Sequence, residues 1–318
     1  MIHRSPHIPI CVLLLLFLST AVFTQSTSSS FPLLTRPSQD PWVTLHDGHY
    51  HHIESQNGAI VLHRAKRWQD LEGDTGQVVW RAPATGPNSR DVWAPELHRS
   101  GICWCIFFAA DDGDNENHRM WVLHSKGPEP SGPYEGPFLV NTPRWAIDAT
   151  VLDWNNMRYL VWSGWPGDSD GQQNLYIAAM NDLSTIDTPA VLLTQPTESW
   201  ERAGLPICEG PAVLKRGDRL FVVYAAGGSW TADHCLGLLE FQGKDPLDPK
   251  AWKKFGPVMK RSEHLFGPGH PSFVNPSIGK TWMFYNVKTK TEDGWGDRRV
   301  RAKEIVWTPE GWPIFGEP

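Results

Sequence analysis

The chain has 318 residues, 40% hydrophobic and 20% charged, and 29 Lys and Arg set against 35 Asp and Glu give a formal charge of −6. That length suits one large domain or two modest ones, and the balance describes a globular chain that can bury a core. It excludes extensive disorder and a nucleic-acid binder that relies on counterion release.

The first segment in chain order is an export signal in outline. His3 and Arg4 precede an apolar run from Ile10 to Phe23, which is short for a membrane span and gives way to polar residues from Thr24 to Ser30. The pattern predicts a signal peptide over 1–25 and a secreted protein over 26–318, with no membrane attachment after cleavage. A retained anchor is the rival. Cleavage would leave Cys103, Cys105, Cys208 and Cys235, which are free thiols or disulfide partners equally well, although Cys103 and Cys105 share a strand face and are badly placed to bond each other. No Asn-x-Ser/Thr sequon occurs.

From Asp40 onward the sequence repeats. Five segments start on a small or acidic residue and pass through an apolar strand and a polar turn into an aromatic-rich strand. They begin at Asp40, Asp91, Ala146, Cys208 and Gly267. With Asp40, Asp91, Asp148, Glu209 and His270 as register marks, the spacing is 51, 57, 61 and 61 residues. Each hairpin has its own turn signal: Asp47-Gly48, Ser100-Gly101, Asn155-Asn156, Gly217-Asp218 and Gly279-Lys280. Further strand candidates follow each hairpin, at Met120, Leu175 and Cys235 among others. Three or four strands repeated about every 50 residues predict an all-β, five-bladed β-propeller rather than a helical solenoid. The 17 Trp, 28 Gly and 27 Pro suit that reading.

In a propeller the innermost strand of each blade lines a central channel, so the strand starts converge on one mouth. Asp40, Asp148 and Glu209 are then three carboxylates in apolar surroundings, an expensive arrangement unless function retains it. Two carboxyls on opposite sides of a sugar can hydrolyse a glycosidic bond, one protonating the leaving oxygen while the other activates water, and a third can raise the acid's pKa by like charge. Glu209, between Cys208 and Gly210-Pro211, has the surroundings of a raised-pKa acid, and Asp40 those of an ionised base. Oxygen ligands from several blades could alternatively hold calcium, but the acidic stretch from Asp111 to Asn117 lacks EF-hand spacing. Signatures of other chemistries are missing, including Gly-x-Ser-x-Gly, His-Glu-x-x-His and phosphate-binding glycine loops.

These residues resemble the family 43 glycoside hydrolases, five-bladed β-propeller enzymes acting on arabinose- and xylose-containing polysaccharides. The resemblance runs from about Asp40 to Gly316 through Asp40-Pro-Trp-Val, Val92-Trp-Ala-Pro-Glu-Leu97, Ile147-Asp-Ala-Thr-Val151, Glu209-Gly-Pro-Ala-Val213, Gly267-Pro-Gly-His-Pro-Ser272 and Arg298-Arg-Val-Arg-Ala302. It implies an inverting hydrolase with Asp40 as general base, Glu209 as general acid and Asp148 as orienter and pKa modulator, the acid and base about 6.5–9.5 Å apart. It also implies that Arg299 clamps sugar hydroxyls and that a structural calcium ion in the channel contacts His270 through water. No cofactor is expected for the chemistry itself. Trp200-Glu-Arg and the closing strand look like the α-L-arabinofuranosidase branch, whose substrates would be arabinan, arabino-oligosaccharides or arabinoxylan of plant cell walls, hydrolysed by a monomer. Endo-arabinanase and β-xylosidase are the alternatives within the family, and a non-catalytic carbohydrate-binding propeller is the alternative outside it. Trp93 and Trp165 are candidates for stacking on a sugar face. Trp42, Trp104, Trp282 and Trp307 are expected to pack between blades.

Overall fold

The computed structural model describes residues 28–318 apart from 183, so the export signal expected over 1–25 lies outside the described residues. Five antiparallel sheets make up the chain, four of them taking consecutive strands in order. Blade I holds Trp42–His46, His49–Gln56, Ala59–Ala65 and Gln77–Arg81; blade II holds Arg90–Ser100, Cys103–Asp111, Arg119–Ser125 and Tyr134–Leu139. Blade III runs through Ala146–Trp154, Met157–Gly164, Asn174–Ala179 and Val191–Thr194, and blade IV through Cys208–Arg216, Arg219–Ala226, Cys235–Phe241 and Trp252–Met259. Blade V takes Phe266–Ser277, Lys280–Lys288 and Arg298–Trp307, and its outermost strand is Ser30–Pro32 from the other end of the chain. That pairing closes the ring, and the five-bladed propeller read from the repeat is the observed architecture.

Local sequence explains the hairpins. Asp47-Gly48, Asn57-Gly58 and Asn155-Asn156 place two consecutive residues at positive φ, as two-residue turns matched to strand twist require. Five apolar clusters fill the five interfaces between neighbouring blades. Ile53 and Leu62 of blade I meet Ile106 and Phe108 of blade II; Leu214 and Phe221 of blade IV meet Met283 and Tyr285 of blade V. Trp42 and Trp104 fall in the first of these clusters, Trp282 between blades V and I, and Trp307 between IV and V, all as packing. Cys103, Cys105, Cys208 and Cys235 are all free thiols.

Strand direction separates the two faces of the ring. Each innermost strand starts at the mouth, so the loops from second to third strand rise there: 57–58, 112–118, 165–173, 227–234 and 289–297. Blade I contributes a tight two-residue turn and the other four blades contribute loops of seven to nine residues.

Buried charge is used structurally as well. Glu201, fully buried, accepts from Lys254 Nζ at 2.8 Å and from the Tyr224 hydroxyl at 2.7 Å. Lys254→Met strands that carboxylate without its cation, and denaturant unfolding should show a loss of about 3–5 kcal/mol.

Candidate active site

One backbone device recurs at the head of every innermost strand. Asp40, Ala94, Asp148, Gly210 and His270 all adopt φ between 43° and 56°. In blades II to V a register shift brackets that residue and the next, as between Ile147 and Thr150 or between Glu209 and Ala212. A proline follows in four of the five cases, where its missing N–H leaves no ladder bond unmade. The left-handed residue bends the chain so that the strand head turns toward the axis.

This geometry corrects the register taken from sequence. In blade II the equivalent position is Ala94 and not Asp91, whose side chain pairs with Asp111. In blade IV it is Gly210, so Glu209 stands one residue earlier, in the place that Trp93 holds in blade II and Gly269 in blade V. Glu209 therefore approaches from a different pleat position than the two aspartates.

Asp40, Asp148 and His270 meet directly. His270 Nδ1 lies 3.5 Å from Asp40 Oδ1 and 3.9 Å from Asp148 Oδ2. Asp40 Oδ1 also accepts from Arg298 Nη1 and from Asn286 Nδ2, each at 3.0 Å, while the Asp40 N–H donates to Asn286 Oδ1 at 2.9 Å. Asp148 Oδ2 accepts the N–H of Gly210 at 3.0 Å, which ties the third blade to the strand head that carries the acid. Gly210 has no substitute here, because a Cβ would sit 3.0 Å from the His270 ring at a φ of +51°.

Glu209 faces a second histidine that sequence reasoning did not single out. His234, 2% exposed, donates Nδ1–H to the Gly227 carbonyl at 2.9 Å and turns Nε2 toward Glu209 Oε1, 4.0 Å away. Its ring lies over Gly269, where a Cβ would come within 2.1 Å of Nε2. Two crossings thus lock the blades together, Gly210 of blade IV beneath His270 of blade V and Gly269 of blade V beneath His234 of blade IV. The only sequence signal was the Gly-His-Pro run at 269–271, which named one histidine of the pair.

The environment drives the carboxyls apart. Burial pushes Asp40 up, but Arg298, His270 and the Asn286 amide together outweigh it and hold Asp40 below the ordinary carboxylate range. Burial raises Glu209 well above that range, and the neighbouring charges of Asp148 and Asp40 push the same way. Burial also raises Asp148, opposed by His270 and reinforced by Asp40. His234 is lowered to about 4 by burial and is neutral at ordinary pH, so its Nε2 offers an acceptor that suits a protonated Glu209. Below the mouth, Glu96 of the Val92–Leu97 motif is buried near Asp148 and pushed well above its usual value by that burial, with Oε2 2.7 Å from His98 Nε2.

Other expected site residues are placed as follows. The guanidinium at Asp40 is that of Arg298, while Arg299, expected to clamp sugar hydroxyls, donates to the Arg298 carbonyl at 3.0 Å. Adjacent arginines on one strand point to opposite sides, and the phase is set by pairing with the preceding strand, where Arg298 lies opposite Lys288. Trp93 is partly exposed and stacks on His118 at 4.0 Å. Trp165 is 4% exposed and stacks on Trp145 at 4.8 Å, as packing between blades II and III. Among the described residues no three His, Cys, Asp or Glu side chains converge to hold a metal.

Fold and site together define a β-propeller whose channel mouth holds a low-pKa and a high-pKa carboxyl, the pairing that acid–base cleavage of a glycosidic bond requires. The model of the glycosyl hydrolases family 43 matches residues 30–313, and the chain belongs to this family of glycoside hydrolases. An extracellular exo-α-(1→5)-L-arabinofuranosidase of Streptomyces avermitilis is 33% identical over 317 residues, covering 94% of this chain and 66% of that protein. The corresponding enzyme of Streptomyces chartreusis is 33% identical over 293 residues, covering 87% and 84%. The crystal structure of an α-L-arabinofuranosidase from Lactobacillus brevis superposes with a TM-score of 0.81 at 31% identity, covering 88% of this chain and 94% of that one. The chain thus spans just under two thirds of the length of the Streptomyces avermitilis relative.

Two outcomes follow from the electrostatics. Arg298→Gln removes the cation that holds Asp40 down, so the acid limb of the activity–pH profile should move to higher pH. Gly269→Ala pushes His234 off its seat, and activity should fall while the melting temperature drops by only a few degrees.

Proposed function

We propose that the protein is a secreted, inverting α-L-arabinofuranosidase that releases L-arabinofuranose from arabinan, arabino-oligosaccharides or arabinoxylan. The observation that carries this reading is the opposite displacement of two carboxyls at one mouth, Asp40 downward and Glu209 upward. In the proposed step, protonated Glu209 gives its proton to the glycosidic oxygen as the C1–O bond breaks. Asp40 takes a proton from a water whose oxygen bonds to C1 on the opposite face, so the anomeric configuration inverts. Asp148, tied to the Gly210 N–H, orients the acid and keeps its pKa high by like charge. Exchange with solvent then returns a proton to Glu209 and removes one from Asp40.

The names of the Streptomyces relatives support both the exo specificity and an extracellular location. Among the described residues no helix is long and apolar enough to cross a membrane. Four of the five mouth loops are seven to nine residues long, and that length supports a closed pocket and single-sugar release over an endo cleft. A calcium ion in contact with His270 through water would be a structural element, and no step depends on it. The enzyme is proposed to act as a monomer.

Glu209→Gln should lower turnover of arabino-oligosaccharides by about 10²–10⁴-fold while sugar binding is retained. A wild-type protein inactive on every pentose substrate but still binding arabinan would instead mark a carbohydrate-binding propeller. Proton NMR of the reaction in progress should show β-L-arabinofuranose first. Initial release of the α anomer would rule out inversion.

A further inference from the structure

Among the described residues, the exposed large hydrophobic side chains lie on outermost strands or at the base of the ring, with one exception. Phe31, Val78, Phe138, Leu139 and Leu192 belong to fourth strands, and Ile102, Met157 and Ile278 to base hairpins. Trp295, 57% exposed, stands in the mouth loop 289–297.

That ring is held rigidly for an exposed side chain. Its Nε1–H donates to Ser229 Oγ at 3.2 Å, and its edge meets the Trp230 ring at a centroid distance of 5.5 Å and an interplanar angle of 63°. Beneath it, Lys288, fully buried, makes no ion pair within 4.0 Å among the described residues and spends its ammonium on three carbonyls. These are Trp230 at 2.6 Å, Glu292 at 2.8 Å and Gly294 at 2.6 Å. The Gly294 N–H adds a bond to the Trp230 carbonyl at 2.9 Å, and Asp297 accepts from Thr289 and Lys290 to close the loop on itself. A buried cation with no part in the acid–base step thus joins two mouth loops and fixes the rings they carry. The arrangement removes in advance the rotamer entropy that a flexible aromatic would lose on binding.

Its position follows from its connections. Ser229, which accepts the Trp295 N–H, belongs to the loop 227–234 that delivers His234 to Glu209. On the other side, the Arg298 N–H donates to the Trp295 carbonyl at 3.3 Å, and Arg298 reaches Asp40. A general acid faces the leaving oxygen, so a ring moored to the loop that sets His234 against Glu209 stands on the leaving-group side.

We propose that Trp295 is the stacking platform for the sugar residue on the leaving-group side of the scissile bond, a neutral pentose unit of the arabinan or arabinoxylan chain. The inference rests on the hydrolase reading and adds to it the residue that recognises the departing chain. The test compares two substrates, arabinotriose and methyl α-L-arabinofuranoside, whose leaving group is methanol. Trp295→Ala should lower kcat/KM for arabinotriose about tenfold or more, mostly through KM, and change it less than about twofold for the methyl glycoside. Trp295→Phe, which keeps a ring without the N–H, should restore most of the loss. Equal losses on both substrates, or none on either, would overturn the platform while leaving the hydrolase reading intact. A wild-type protein that cleaves neither substrate would overturn both.

Discussion

Five left-handed residues at the heads of five innermost strands hold the site together. A non-glycine residue in that conformation costs about 1–2 kcal/mol, and here four of the five are not glycine. The bulge turns each strand head toward the axis, so Asp40, Asp148 and His270 meet although they are far apart in the chain. Where the backbone itself must pass close to a neighbour, the residue is glycine: Gly210 beneath His270, and Gly269 beneath His234. Ser30–Pro32 completes the fifth blade by pairing with Arg301–Lys303.

Once the heads converge, electrostatics follows from burial. A desolvated cluster of carboxyls cannot ionise uniformly, and the protein breaks the symmetry with local partners. Asp40 receives a guanidinium, an imidazole and an amide, whereas Glu209 receives the charges of two aspartates and a neutral imidazole acceptor. The tautomer of His234 matters as much as its position, since Nδ1–H is spent on the Gly227 carbonyl and the face toward Glu209 presents a lone pair. The same fold uses buried charge for structure alone at Glu201 with Lys254 and at Lys288. Low solvent access therefore does not by itself mark a reactive carboxyl; the opposite displacement of Asp40 and Glu209 within one cluster sets these two apart.

Much of this is legible in the sequence, because a propeller repeats both its hydrophobic pattern and its turns. Blade number, strand content and the carboxylates Asp40, Asp148 and Glu209 could be located from spacing. Phase could not. Asp91 and Glu209 look like equivalents of Asp40 by residue type, but double bulges in blade II and a glycine in blade IV move the true position to Ala94 and Gly210. The same limit separates Arg298 from Arg299, since strand pairing decides which of two neighbours faces the channel. His234 carries no motif, and its role arises from two contacts, one within blade IV at Glu209 and one across to blade V at Gly269, 25 and 35 residues away. Trp165 shows the converse, since the ring expected to stack on a sugar face is buried by stacking on Trp145.

The central claim is that one mouth holds two carboxyls at opposite displacements from their ordinary pKa. It is tested most directly by carbon-13 NMR titration of the side-chain carboxyl resonances of Asp40 and Glu209 in the resting protein, assigned by single substitution. Asp40 should titrate below the ordinary carboxylate range and Glu209 well above it, so that an interval of pH exists in which one is ionised and the other is not. Two resonances titrating together within that range would contradict it.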